Sequence, residues 1–104
     1  MTFVVNPTVP MLIGESDYVY FDFTRRLETG QTVVSAVYTC ESPVTEDGGT
    51  AAVNAAGTIA SARFTLPNTA VNGTGYTVTC TATCATPTAT KILFAVIAAA
   101  SVPT

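Results

Sequence analysis

The stretch Gly75 to Cys84, Gly-Tyr-Thr-Val-Thr-Cys-Thr-Ala-Thr-Cys, alternates without a break. Tyr76, Val78, Cys80, Ala82 and Cys84 fall on one side and Thr77, Thr79, Thr81 and Thr83 on the other, the period-two pattern of a half-buried β-strand. A helix would scatter these residues around its circumference, and β-branched threonine at every second position suits a pleated surface better than a helical one. The rest of the chain is expected to cover this strand's apolar face.

Other segments repeat the pattern. Asp17 to Phe23 sets Val19, Phe21 and Phe23 against Tyr18, Tyr20 and Asp22, and the apolar set is expected inside. Thr24 to Gly30 breaks the alternation in a single helical turn, with Leu27 plugging the end of the core and Gly30 reversing the chain. Gln31 to Glu41 is a strand of mixed parity, so it is either buried on both faces or carries a bulge. Glu46-Asp47-Gly48-Gly49 reads as a hairpin tip, followed by a weak strand at Thr50 to Asn54.

Ile59 to Leu66 alternates again, with Ala60, Ala62, Phe64 and Leu66 on one side. Val71 to Gly75 turns the chain into the central strand. Tyr76, just past that corner, sits where an immunoglobulin-like fold places a tyrosine that hydrogen-bonds back across the loop. Thr90 to Ala99 is apolar on both parities and is expected to be covered on both sides.

Short strands at near-regular spacing without a helical segment predict an all-β fold, an immunoglobulin-like β-sandwich of six to eight strands. Residues 1–16, interrupted by Pro7 and Pro10, read as an extended N-terminal arm or edge strand, and residues 17–104 as the sandwich domain. From the arm, Phe3, Val5, Val9, Met11, Leu12 and Ile13 are candidates to dock on the domain or on a neighbour.

Composition narrows the functional classes. Charged residues make up 11% of the 104, less than half the ~25% typical of globular domains, so Thr, Ser, Asn, Gly and Ala must form much of the exterior. Such a surface is weakly defended against contact, and part of it is expected to be covered by other subunits. The net charge of −3, with Arg25-Arg26 the one adjacent basic pair, leaves no basic stripe for nucleic acid. Ile92 to Ala100, the most apolar run, is about half the ~20 residues of a membrane-spanning helix, and no basic-then-apolar secretory leader opens the sequence. No membrane partner is expected, and synthesis is expected in a cytosol.

The chain has no histidine, hence no ordinary base near neutral pH and no Ser-His or Cys-His dyad. Cys80 and Cys84, four apart on one strand, are separated by ~13 Å, too far to form a disulfide or share a metal ion. These two and Cys40 are expected to be reduced, buried side chains. The carboxylates fall in turns or on outward strand positions, where paired-acid chemistry is disfavoured. No catalytic residue, cofactor or metal site is expected. Interface candidates are Val9, Met11, Leu12, Ile13, Arg25, Arg26, Ile92 and Phe94, while Tyr18, Tyr20 and Tyr38 are the candidate platform of a glycan- or receptor-binding module.

Two segments carry a resemblance. Asp22-Phe23-Thr24 with Leu27, Gly30, Thr32-Val33 and Ser35, and later Tyr76-Thr77-Val78-Thr79-Cys80, resemble the small immunoglobulin-like fiber-tail adaptor proteins of tailed bacteriophages. Phe23 and Arg26 stand where tryptophan is common in that family. The resemblance implies a non-enzymatic virion structural protein at the neck or tail, joining tail fibers or other virion proteins and copies of itself as a homo-oligomer. A capsid decoration protein is the neighbouring alternative.

Overall fold

The computed structural model describes residues 8–101. Phe3 and Val5, assigned above to the arm, lie outside the described residues. Eight strands follow in order: β1 (Thr8–Leu12), β2 (Ser16–Asp22), β3 (Thr32–Cys40), β4 (Thr45–Glu46), β5 (Ala52–Val53), β6 (Ile59–Thr65), β7 (Gly75–Ala85) and β8 (Ala89–Ala100). The only helical element among the described residues is the 3-10 turn Thr24–Arg26, which leads Leu27 half-buried onto the end of the core.

Two sheets form. One has the order β1-β8-β7-β3, with β1 parallel to β8 and the other pairs antiparallel. The other has β6 in the middle, β2 along one side and β4 and β5 in succession along the other. The alternating stretch that opened the sequence is β7, an inner strand. Its apolar positions are all in the core, and so are Val19, Phe21, Ala60, Ala62 and Phe64 from the facing sheet. Phe23 and Leu66, just beyond β2 and β6, close the same cluster with no exposed surface. Full burial of each large side chain is worth about 1.5–3 kcal/mol.

Tyr38 joins the layers from β3, its ring 5.6 Å from Phe21 and edge-on to Phe64 at 5.3 Å. Gln31 is the one buried polar residue among those described, and it is satisfied: Nε2 donates to Pro87 O at 2.6 Å and Oε1 accepts from Glu28 N–H at 3.1 Å. At the predicted corner, the Val71 N–H donates to the Tyr76 hydroxyl at 2.9 Å.

Two expectations change, and for β3 the structure selects the bulge from the two alternatives. Asp47 to Ala51 is no hairpin tip: β4 and β5 run the same way along one edge of β6, so the loop is an interruption within a single edge strand. Asp47 holds it, accepting from the Thr65 hydroxyl at 2.7 Å and pairing with Arg63 at 3.5 Å, while the Thr50 hydroxyl replaces the missing ladder acceptor for Arg63 N–H at 3.0 Å. The mixed parity of β3 reflects a register shift between Val33 and Ser35 rather than double burial; Val33 N–H donates to Gly57 O instead of to the ladder. β8 is not covered on both sides either, because Ile92 and Phe94 are exposed on its outer face within this chain.

Residues 8–12 are an edge strand whose side chains divide by parity. Met11 is buried in the chain's own core, Val9 is partly buried beside it, and Leu12 faces outward.

Candidate interface surfaces

Registers across β1-β8-β7-β3 define what its outer face presents. One row runs Ser35, Thr83, Thr90, the next Val37, Thr81, Ile92, and the next Thr39, Thr79, Phe94. Further along come Thr77, Val96 and Thr8, then Gly75, Ala98 and Pro10, with Leu12 beside Ala100. No charged side chain occurs in these rows. Lys91, the one charged residue of these four strands, belongs to the opposite parity. Glu41 closes the end of the ladder, its carboxylate accepting from Thr77 N–H at 2.9 Å. Val37 (69% exposed), Ile92 (45%) and Phe94 (41%) are the large apolar groups standing out of the threonine background.

Strand spacing and rise give this face on the order of 500 Å². The largest apolar patch of an ordinary monomer covers about 300–600 Å² and is often functional; here Val37, Ile92 and Phe94 supply the apolar part of a face otherwise made of threonine and alanine. The facing sheet differs: its exterior carries Asp22, Arg63 and the Asp47 loop, and the exposed rings of Tyr18 and Tyr20 stack at 6.4 Å.

The sequence candidates therefore separate. Ile92 and Phe94 share the uncharged face, with Leu12 at its border. Val9 and Met11 serve the core, and Ile13 packs against it while its N–H donates to Ala100 O. Arg25 and Arg26 sit on the exposed 3-10 turn, off the face, without an ion-pair partner among the described residues. The three tyrosines make no common platform, because Tyr38 points inward while Tyr18 and Tyr20 point out. Val34 and Val37 were missed. Their signal was present in the mixed parity of β3, since a bulge turns one valine out of the alternation.

The titratable groups are consistent with packing roles. Cys40, Cys80 and Cys84 are free thiols. Burial pushes the Cys80 thiol up to about 11 and raises Cys40 as well, which keeps both protonated near neutral pH. Burial also raises the Tyr38 phenol, whose hydroxyl lacks a well-placed hydrogen-bond partner beside the Cys80 thiol. The Thr24 hydroxyl and N–H hold the Asp22 carboxyl below its ordinary value. Among the described residues no three His, Cys, Asp or Glu side chains gather as metal ligands, and no helix is long and apolar enough to cross a membrane.

This geometry describes a contact-making structural β-protein. The chain belongs to the family described as podophage GP4 fiber-tail adaptor protein gp77, whose model matches residues 13–93. That family is one of structural phage adaptor proteins, which is not an enzyme class. No curated protein and no solved structure matches the chain.

Proposed function

We propose that this chain is an immunoglobulin-like adaptor that joins tail fibers or neck components to the particle by burying the outer face of β1-β8-β7-β3 against a neighbouring virion protein. The observation that carries the reading is the absence of charge across that face, in a chain whose other sheet and connecting turns hold nearly all the charged side chains. A solvated sheet face normally carries Lys, Glu or Arg. Here Thr, Val, Ile, Phe and Ala take those places, and desolvating them costs little compared with stripping water from ions.

The immunoglobulin-like assignment is supported by the strand order, by the parallel pairing of the first and last strands and by the Tyr76 corner. Self-association within the particle belongs to the same proposal.

The test is incorporation. Particles produced with Val37→Glu and Phe94→Glu should contain at least ten-fold less of the protein by mass spectrometry, with the purified variant retaining its β-type circular dichroism. Normal incorporation of a folded double variant would overturn the assignment of this face. A copy number matching the capsid rather than the tail would move the protein to the shell.

A further inference from the structure

The sheets have edges as well as faces, and the edges are not equally guarded. Natural edge strands avoid accidental pairing by proline, charge, interruption or self-satisfied amides. β1 carries Pro10 at its centre. β2 carries Asp17 and Asp22, and Asp17 Oδ1 accepts from the Tyr18 N–H at 2.8 Å, removing an edge donor. The β4–β5 edge is broken at Asp47 to Ala51, and the first half of β8, beyond the reach of β1, carries Lys91.

β3 has neither charge nor proline from Thr32 to Cys40. Because Glu41 N–H donates to Thr77 O, the odd residues after the bulge bond to β7, and Ala36, Tyr38 and Cys40 turn their N–H and C=O groups away from it. None of these groups has a backbone partner among the described residues.

Beside this edge is an open cleft of about 290 Å³, lined by Val34, Ala36 and Tyr38 from β3 and by Ala51 and Val53 from the facing edge. It carries no charge. Its volume is at the small end for a drug-like ligand, ~300–1,000 Å³, and suits the side chains of one added strand.

We propose that this edge and cleft receive residues 2–5 of a second copy of the chain as an added strand. The segment, Thr-Phe-Val-Val, is uncharged, rich in strand-forming residues, and joined by Asn6-Pro7 to Thr8, where β1 begins. Alternation gives Phe3 and Val5 a common side that can face the cleft.

Reach selects a second copy. β1 and β3 are opposite edges of one sheet, so a strand added outside β3 lies four strand spacings or ~19 Å from β1, while the three residue steps from Val5 to Thr8 span at most ~11 Å. A copy therefore cannot lay residues 2–5 along its own β3. Continuation along its own β8 is opposed by Pro7. Ile13 N–H donates to Ala100 O, so odd positions of this strand are the ladder donors, and proline at position 7 has no hydrogen to give. The proposal deepens the adaptor reading by naming a contact between copies.

Hydrogen exchange on the full-length chain tests it without requiring a particle. With rising protein concentration, sedimentation should show association, and the Ala36, Tyr38 and Cys40 amides should exchange at least ten-fold more slowly. The arm variant Phe3→Asp with Val5→Asp should abolish both effects with unchanged circular dichroism and Tm. The edge variant Ala36→Pro, which removes an outward N–H and no hydrogen bond to β7, should do the same. Equal exchange in the native chain and the arm variant overturns the proposal, as does concentration-independent protection of the Thr90, Ile92 and Phe94 amides, which face away from β7 and would be covered only if the segment lay on its own β8. If the chain is missing from purified virions, the adaptor reading fails while the exchange result stands. If it is present and the three amides stay unprotected, the proposal fails alone.

Discussion

At the scale of single residues, the position most informative about the fold is Tyr76. Its ring is in the core and its hydroxyl accepts from Val71 N–H, tying the loop before β7 to the strand itself. Tyr76→Phe keeps the ring and leaves that amide without its acceptor. A loss of about 1 kcal/mol is expected, measured as a Tm lower by about 4–8 °C in a domain of this size. An unchanged Tm would mean that water replaces the hydroxyl at no cost. Asp47 plays the corresponding part on the facing sheet, where one carboxylate serves both Thr65 and Arg63 and holds a broken edge strand in register.

At the scale of elements, the β3–β7 pair places Tyr38 opposite Cys80. Both groups lose protons less readily in the fold than in the open chain, because burial disfavours their charged forms. The sign follows directly. Near pH 7 the thiol is protonated in both states and its contribution is complete. As pH climbs past the ordinary thiol value of ~8.5, the unfolded chain gives up a proton that the folded chain keeps, so stability falls until the folded Cys80 also titrates at about 11. Urea midpoints should hold between pH 6 and 8 and decline between about 9 and 11, and Cys80→Ala should flatten that decline. An equally steep decline in the variant would assign the effect to another group.

How far these elements could be read beforehand depended on how many residues their patterns had. β2, β6 and β7 each alternate over seven residues or more, and every inward position expected of them is buried. β4 and β5 have two residues each, too few to show a period, and the Gly48-Gly49 between them carries the same signal whether it turns a hairpin or interrupts an edge. β8 failed for a different reason. A strand apolar on both parities says that both faces avoid water, and Ile92 and Phe94 do so only if something outside this chain covers them. Of the candidate interface, these two residues were legible from hydropathy. Val37 showed only as the mixed parity of β3, because the neighbouring bulge obscured which parity faced outward.

At the scale of the whole molecule, the sheets divide the work. One carries Asp17, Asp22, Glu46 and Arg63 on its strands, along with the stacked pair Tyr18 and Tyr20. The other offers weakly polar surface and an unguarded β3 edge. The proposed adaptor role gives that asymmetry a use, with the weakly polar side turned to a neighbour.

The uncharged sheet face also bears on the medium in which a phage survives. Ions at 1 M shorten the reach of electrostatic attraction to about 3 Å, which loosens joints built on ion pairs. A joint made from threonine, valine, isoleucine and phenylalanine has nothing for those ions to screen, and sulfate tightens it by driving apolar groups out of water. The proposed joint through this face should therefore persist from fresh water to brine. Particles dialysed between 10 mM and 1 M sodium chloride should keep the adaptor in constant amount, and steady release as salt rises would show that charged groups hold it instead.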